Sequence, residues 1–120
     1  PFTAKTEDIL LAELDPPWIA GLTLLGGDPM EPANQRALMP FLRRFRARFG
    51  DTKTIWCYTG CVLEQDLLPE AEPSRWRTEV TDEFLALVDV LVDGPFIEAL
   101  KDPSLKFRGS ANQRILRLRG

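Results

Sequence analysis

The chain predicts an α/β fold in which short apolar strands alternate with helices to build a parallel sheet. Three observations carry that expectation. Residues 18–25 and 88–93 are short apolar runs without helical period, each followed by a glycine-containing turn. Residues 52–58 are rich in β-branched and aromatic side chains, which suit a pleated surface. Between these runs lie stretches of helical period, the longest at residues 34–49. A chain of 120 residues can bury one core, and no repeat, low-complexity stretch or linker divides it, so residues 1–120 read as a single domain.

Each element follows from local chemistry. Residues 6–14 read as a helix capped by Thr6, with Glu7 and Asp8 favouring its first turn and Ile9, Leu10 and Leu14 forming the apolar stripe. Asp15-Pro16-Pro17 ends it. Residues 18–25 (WIAGLTLL) fit a strand buried on both faces. In residues 34–49 the side chains Leu38, Phe41, Leu42, Phe45 and Phe49 share one helical face; Pro40 predicts a kink or a later start, and Gly50 a stop. Residues 52–58 form the second strand, residues 61–68 a short helix and residues 69–77 a loop. A helix at 78–87 leads into the third strand at 88–93; a helical turn at 96–100 and a last strand at 113–118 complete the order.

Composition narrows the function. A net charge of -3 argues against a non-specific nucleic-acid binder. The end of the chain is the exception: Lys106, Arg108, Arg114, Arg117 and Arg119 form an acid-free basic run that suits phosphate, an acidic partner or plain solvent. No apolar run is long enough to span a bilayer. Two cysteines without a disulfide pattern suit a reducing compartment, and the expected location is the cytoplasm. The absence of histidine removes the commonest general base and nitrogen metal ligand. Pro1-Phe2-Thr3 has no Met and opens directly onto a helix signal, which predicts further chain upstream.

In parallel sheets ligands bind at the carboxyl ends of strands. Those ends here carry Gly26-Gly27-Asp28-Pro29, Tyr58-Thr59-Gly60 and Asp93-Gly94-Pro95, with a polar loop, residues 108–114, before the last strand. Two glycines after a strand let the main chain approach a ligand, and Asp28 adds a carboxylate that suits an ammonium group; a tight turn is the alternative use of the same residues. Asp89 and Asp93 share a strand face, with Asp93 at the ligand end, where it either meets a ligand or caps its own turn. Cys57 and Cys61 lie too few in number for a four-ligand metal site; Cys57 reads as a buried apolar residue and Cys61, at a helix start, as a thiol of lowered pKa. Trp18 and Trp56 read as packing residues.

Taken in order, these pieces resemble the activating proteins of anaerobic ribonucleoside-triphosphate reductase, glycyl-radical activases of the radical S-adenosylmethionine (SAM) superfamily. The matching text runs through residues 21–29 (GLTLLGGDP), 55–60 (IWCYTG), 88–96 (VDVLVDGPF), 106–110 (KFRGS) and 112–115 (NQRI), and Pro1-Phe2-Thr3 resembles the stretch just after that family's cluster loop. Asp93-Gly94-Pro95-Phe96 and Arg108-Gly109-Ser110 separate it from the activase of pyruvate formate-lyase. The resemblance implies a partial (β/α) barrel truncated at its N-terminus. It implies a [4Fe–4S] cluster on a C-x3-C-x2-C loop, and SAM cleavage to a 5′-deoxyadenosyl radical that leaves a glycyl radical on the reductase, the protein partner. Gly26, Gly27, Asp28 and Pro29 map onto the motif that binds the methionine ammonium of SAM; Thr59 and Asp93 map near its methionine or ribose, and the loop of Ser110, Asn112, Gln113 and Arg114 near SAM or the reductase. The three-cysteine segment is absent and Cys57 and Cys61 do not replace it. The chain alone is therefore expected to bind no cluster and to cleave no SAM, hence to be inactive by itself, with no catalytic residue of its own assigned. The alternative is a non-catalytic module that docks on the reductase or on SAM.

Overall fold

A computed structural model describes residues 3–119; Pro1 and Phe2, whose likeness to the family was noted above, lie outside them. Four strands, β1 (Gly21–Leu24), β2 (Thr54–Tyr58), β3 (Val90–Asp93) and β4 (Arg114–Arg117), form one sheet in sequential order. The first three are parallel, and three α-helices, α1 (Ala4–Leu14), α2 (Pro32–Phe49) and α3 (Thr81–Leu87), precede them in turn. The α/β expectation holds, but a fully parallel sheet does not: β4 runs antiparallel to β3, with Asp93 opposite Arg114 and Val90 opposite Arg117. The reason lies in residues 94–113. They carry only one short turn, Glu98–Leu100, and a bridge between Lys101 and Ser110, so the chain comes back on the side it left from. A parallel neighbour needs a crossover to the far end.

The first helix is capped by Thr3, whose hydroxyl accepts from Thr6 N at 3.3 Å, not by Thr6. Its buried apolar residue is Leu11, while Ile9, expected in the stripe, is exposed. β1 is half the length expected, and it is not buried on both faces: only Leu24 is buried, and Trp18 and Leu25 are 80% and 65% exposed. As an edge strand it lacks a neighbour to cover its second side. Lys53, itself buried, donates from Nζ to the carbonyls of Pro16 and Ile19 and so fixes the turn that leads into β1.

α2 starts at Pro32, earlier than residue 34, and continues through Pro40. Proline suits a first helical turn. Pro40 is exposed on the solvent side of the helix, and the burial of Met39, Phe41, Leu42, Phe45 and Phe49 offsets a cost of about 3 kcal/mol. These side chains meet Phe84 of α3 and Ile55, Cys57 and Leu91 of the sheet in one core. β2 alternates, with Ile55 and Cys57 turned into that core; β3 is buried at all four positions, as a central strand between two neighbours should be. The expected helix at 61–68 is a single wide turn, Leu63–Leu67, followed by a tighter one, Pro69–Ala71, and α3 begins at Thr81 rather than at residue 78. Thr78 and Thr81 spend their hydroxyls on the amides of Val80 and Thr78, which holds residues 78–80 outside the helix. No helix among the described residues is long and apolar enough to cross a membrane.

Candidate functional site at the strand rim

The carboxyl ends of β1, β2 and β3 come together. Gly26, Asp28, Tyr58, Thr59, Gly60, Gly94, Phe96 and Gln113 line one open cleft of about 290 Å³. Gly26 has φ 93°, a left-handed backbone that a side chain would strain, and this lets the chain turn sharply out of β1. Asp28 then reaches across to β2. Its Oδ1 accepts from Thr59 Oγ1 at 2.7 Å and Met30 N at 2.9 Å, and its Oδ2 accepts from Gly60 N at 2.8 Å. Asn34 of α2 donates to the Asp28 carbonyl at 2.9 Å, which ties the turn to the helix. Gly27 and Pro29 face a neighbouring hollow between β1 and α2, with Leu24 and Leu38.

Asp93 lies beneath the rim and is fully buried. Arg114 grips it with two bonds, Nε to Oδ1 at 2.9 Å and Nη2 to Oδ2 at 2.5 Å, and Leu63 N donates to Oδ2 at 2.8 Å. Arg114 also holds Glu64, and these two carboxylates, Asp93 first, push its guanidinium further toward the protonated form. Ser110 is likewise buried, donating to Asn112 Oδ1 at 2.6 Å, and Asn112 donates to the carbonyl of Pro95. Asp93, Ser110 and Asn112 therefore build the walls behind the cleft, whereas Gly26, Asp28 and Thr59 line it. Tyr58, Gly60 and Gly94 were within reach of the strand-end rule, since they stand beside Thr59 and Asp93. Phe96 stood in the Asp93-Gly94-Pro95-Phe96 run that carries the resemblance, but without a role at the site.

A second, larger hollow of about 410 Å³ lies on the sheet face opposite α2, lined by Trp18, Gly21, Thr23, Trp56, Tyr58 and Phe107, and it shares Tyr58 with the rim. Phe107 sits against Trp56 with ring centroids 5.1 Å apart. Trp56 thus packs as expected; Trp18 does not, being exposed at the start of an edge strand. Asp89 stands before β3, not within it, and serves the opposite end of the sheet, accepting from Ile55 N and from the largely buried Arg46. In the basic run, Arg114 and Arg119 are committed to internal carboxylates: Asp93 and Glu64 for the first, Asp51 and Asp89 for the second.

Cys57 and Cys61 are both free and buried. Burial, then the charge of Asp28, pushes the Cys57 thiol up; burial pushes Cys61 up to about 12, against the reduction expected at a helix start. The correction has a structural cause: the turn begins at Leu63, and the amide of Cys61 is spent on Thr59 Oγ1. Among the described residues no three His, Cys, Asp or Glu side chains are grouped to hold a metal ion. Two sealed thiols do not fit a cluster that needs three thiolates.

The 4Fe-4S single cluster domain family matches residues 1–116. The anaerobic ribonucleoside-triphosphate reductase-activating protein of Vibrio cholerae is 40% identical over 118 residues, covering 97% of this chain and 68% of that protein. The protein of the same name from Escherichia coli K12 is 39% identical over 121 residues, covering 99% and 71%. That from Enterobacteria phage T4 is 35% identical over 114 residues, covering 95% and 64%. No solved structure matches the chain.

Proposed function

Because the chain belongs to the anaerobic ribonucleoside-triphosphate reductase-activating proteins, within the 4Fe-4S single cluster domains, we propose that its strand rim is a SAM site serving glycyl-radical formation on the reductase. The observation that carries this reading is the cleft itself: glycine backbone, Asp28 and Thr59 from two adjacent strand ends, beside the aromatic rings of Tyr58 and Phe96. Such a wall suits a ligand with an ammonium at one end and an apolar nucleoside at the other. Gly26 and Asp28 hold the methionine end, Gly27 and Pro29 shape the turn that carries them, Thr59 orders the same turn, and Asp93, Ser110 and Asn112 support the ribose side through the loop they brace.

When bound and given one electron by a donor outside the described residues, SAM would supply the chemistry that removes a hydrogen atom from the reductase's glycine, with methionine as the leaving group. The chain's own residues bind and orient it: the turn after β1 approaches closely, and Asp28 locks that turn to β2. The whole chain acts as one radical-SAM-type domain in the cytoplasm, with the reductase as its protein partner and no nucleic acid or membrane. The described residues do not fit the [4Fe–4S] cluster: they offer two buried thiols and no group of three ligands.

The two buried cysteines favour a second reading, a module that docks on SAM or on the reductase without cleaving SAM by itself. One pair of measurements separates these. Anaerobic reconstitution of this chain with iron and sulfide is expected to give neither [4Fe–4S] absorbance nor an EPR signal, and a stoichiometric cluster overturns the reading of Cys57 and Cys61. Calorimetric titration with SAM is expected to give binding that Asp28→Ala weakens; a wild-type chain that binds no SAM refutes the rim as its site.

A further inference from the structure

Gln35, in the first turn of α2, is sealed from solvent, and every hydrogen-bonding position of its side chain is filled. Its Nε2 donates to the carbonyls of Met30 and Trp76, each at 2.7 Å. Its Oε1 accepts from Thr81 Oγ1 at 2.6 Å and from Thr78 Oγ1 at 3.2 Å. The amide has one orientation here, since a flipped one would set its oxygen against two carbonyls. No other side chain of this length serves two carbonyls and two hydroxyls: a carboxylate has no donor and a lysine no acceptor. One end of this arrangement leads to the cleft. Met30 is fully buried, and its amide donates to Asp28 Oδ1 at 2.9 Å, while Asp28 accepts from Thr59 Oγ1 and Gly60 N across the rim. The other end leads away from it, to the segment where Arg75 lies 3.8 Å over the Trp76 ring and donates to Glu31, the residue after Met30, at 3.0 Å.

We propose that Gln35 is a positioning residue for the cleft: by holding the Met30 carbonyl it fixes the turn that presents Asp28, and it ties that turn to residues 76–81. The inference rests on the reading of the rim as a ligand site. Gln35 does not line the cleft, so it acts only through Met30 and Asp28. Asn34 holds the same turn through the Asp28 carbonyl, but Asn34 is partly exposed and water can take over its bond. The sealed Met30 carbonyl has no such substitute. Without Gln35 it must turn to find a donor, and any shift of Met30 moves the amide on which Asp28 Oδ1 rests.

Gln35→Met keeps the volume of the side chain and drops its amide, so it tests this on the full chain. It is expected to speed amide exchange at Met30 and Gly60 by about tenfold or more and to weaken SAM binding by about tenfold, while the core amide of Leu91 stays protected. Thr78→Ala is the control for a general loss of stability. It removes a hydroxyl from the far side of Gln35 and leaves both Nε2 bonds, so exchange at Met30 and SAM affinity are expected to stay at wild-type values. Action through Asp28 also predicts non-additivity: in the Asp28→Ala background, Gln35→Met should weaken SAM by less than about twofold more. In the wild type, the side-chain amide protons of Gln35 are expected to resist exchange and their NMR signals to move as SAM binds, a measurement that stands if Gln35→Met fails to fold. Unchanged exchange at Met30 in Gln35→Met overturns the proposal, as do freely exchanging Gln35 side-chain protons or signals that stay in place while SAM binds. An unaltered SAM affinity in Gln35→Met, an equal loss in Thr78→Ala, or full additivity with Asp28→Ala overturns it too. A wild-type chain that ignores SAM defeats the cofactor assignment alone, while exchange at Met30 and Gly60 still decides whether Gln35 sets the turn.

Discussion

Replacing Arg114 by methionine should be among the most damaging single changes at the rim. The Asp93 side chain is 1% exposed and that of Arg114 41%. Removing one partner of a buried ion pair costs about 3–5 kcal/mol, because the remaining charge is left where water cannot reach it. Two features set the figure toward the lower end. Leu63 N still donates to Asp93 Oδ2, and the half-exposed guanidinium already shares its charge with water. The second arm of Arg114, to the exposed Glu64, contributes only about 0–1 kcal/mol. Methionine keeps the aliphatic packing, so the expected loss is about 3 kcal/mol, out of the 5–15 kcal/mol that ordinarily holds a domain together. Urea unfolding followed by the fluorescence of the three tryptophans measures it, with the slope of the transition unchanged. Pairing Arg114→Met with Asp93→Leu should recover part of the loss, since no charge is then buried alone. A loss below about 1 kcal/mol, or a double variant weaker than Arg114→Met, refutes the reasoning that this pair seals the rim.

Other expectations follow from the same structure. Burial holds the Cys61 thiol protonated up to about 12, while an unfolded chain titrates near its ordinary value of 9.0. The native state thus binds more protons in that window, and its stability falls as pH rises from about 9 toward 12; Cys61→Ala should flatten the fall, and an unaltered slope counts against buried Cys61 as its source. By the same argument, iodoacetamide should modify the native cysteines far more slowly than the urea-unfolded ones, and equal rates would mean the thiols are accessible. At Gly21 an added Cβ would lie 2.0 Å from the carbonyl oxygen of Thr54. Gly21→Ala must therefore push β1 from β2 and should cost about 3 kcal/mol in urea unfolding, and a change under about 1 kcal/mol would show that the two strands can separate freely.

The basic run at the end of the chain shows how sequence neighbours mislead. Five cations without an intervening acid read as an open face. In the folded chain two of them pair with acids that lie 21 to 68 residues earlier, as Arg114 does with Asp93 and Arg119 with Asp51. Cys61 makes the same point for pKa. Its position beside a turn suggested a helix dipole, but the turn begins two residues later and burial dominates.

From its residues alone the chain determined the alternation of helix and strand, the core face of α2, and the three strand ends where polar and glycine residues gather. Those are local facts, set by side-chain period and by the backbone freedom of Gly26. Only the tertiary structure decided that β4 returns antiparallel, that β1 is an edge, and that Asp28, Asp66 and Asp93 converge on the amides of residues 60–63. Which carboxylate meets which amide depends on strand register and on how a long connection closes, and neither is written in the spacing of residues along the chain.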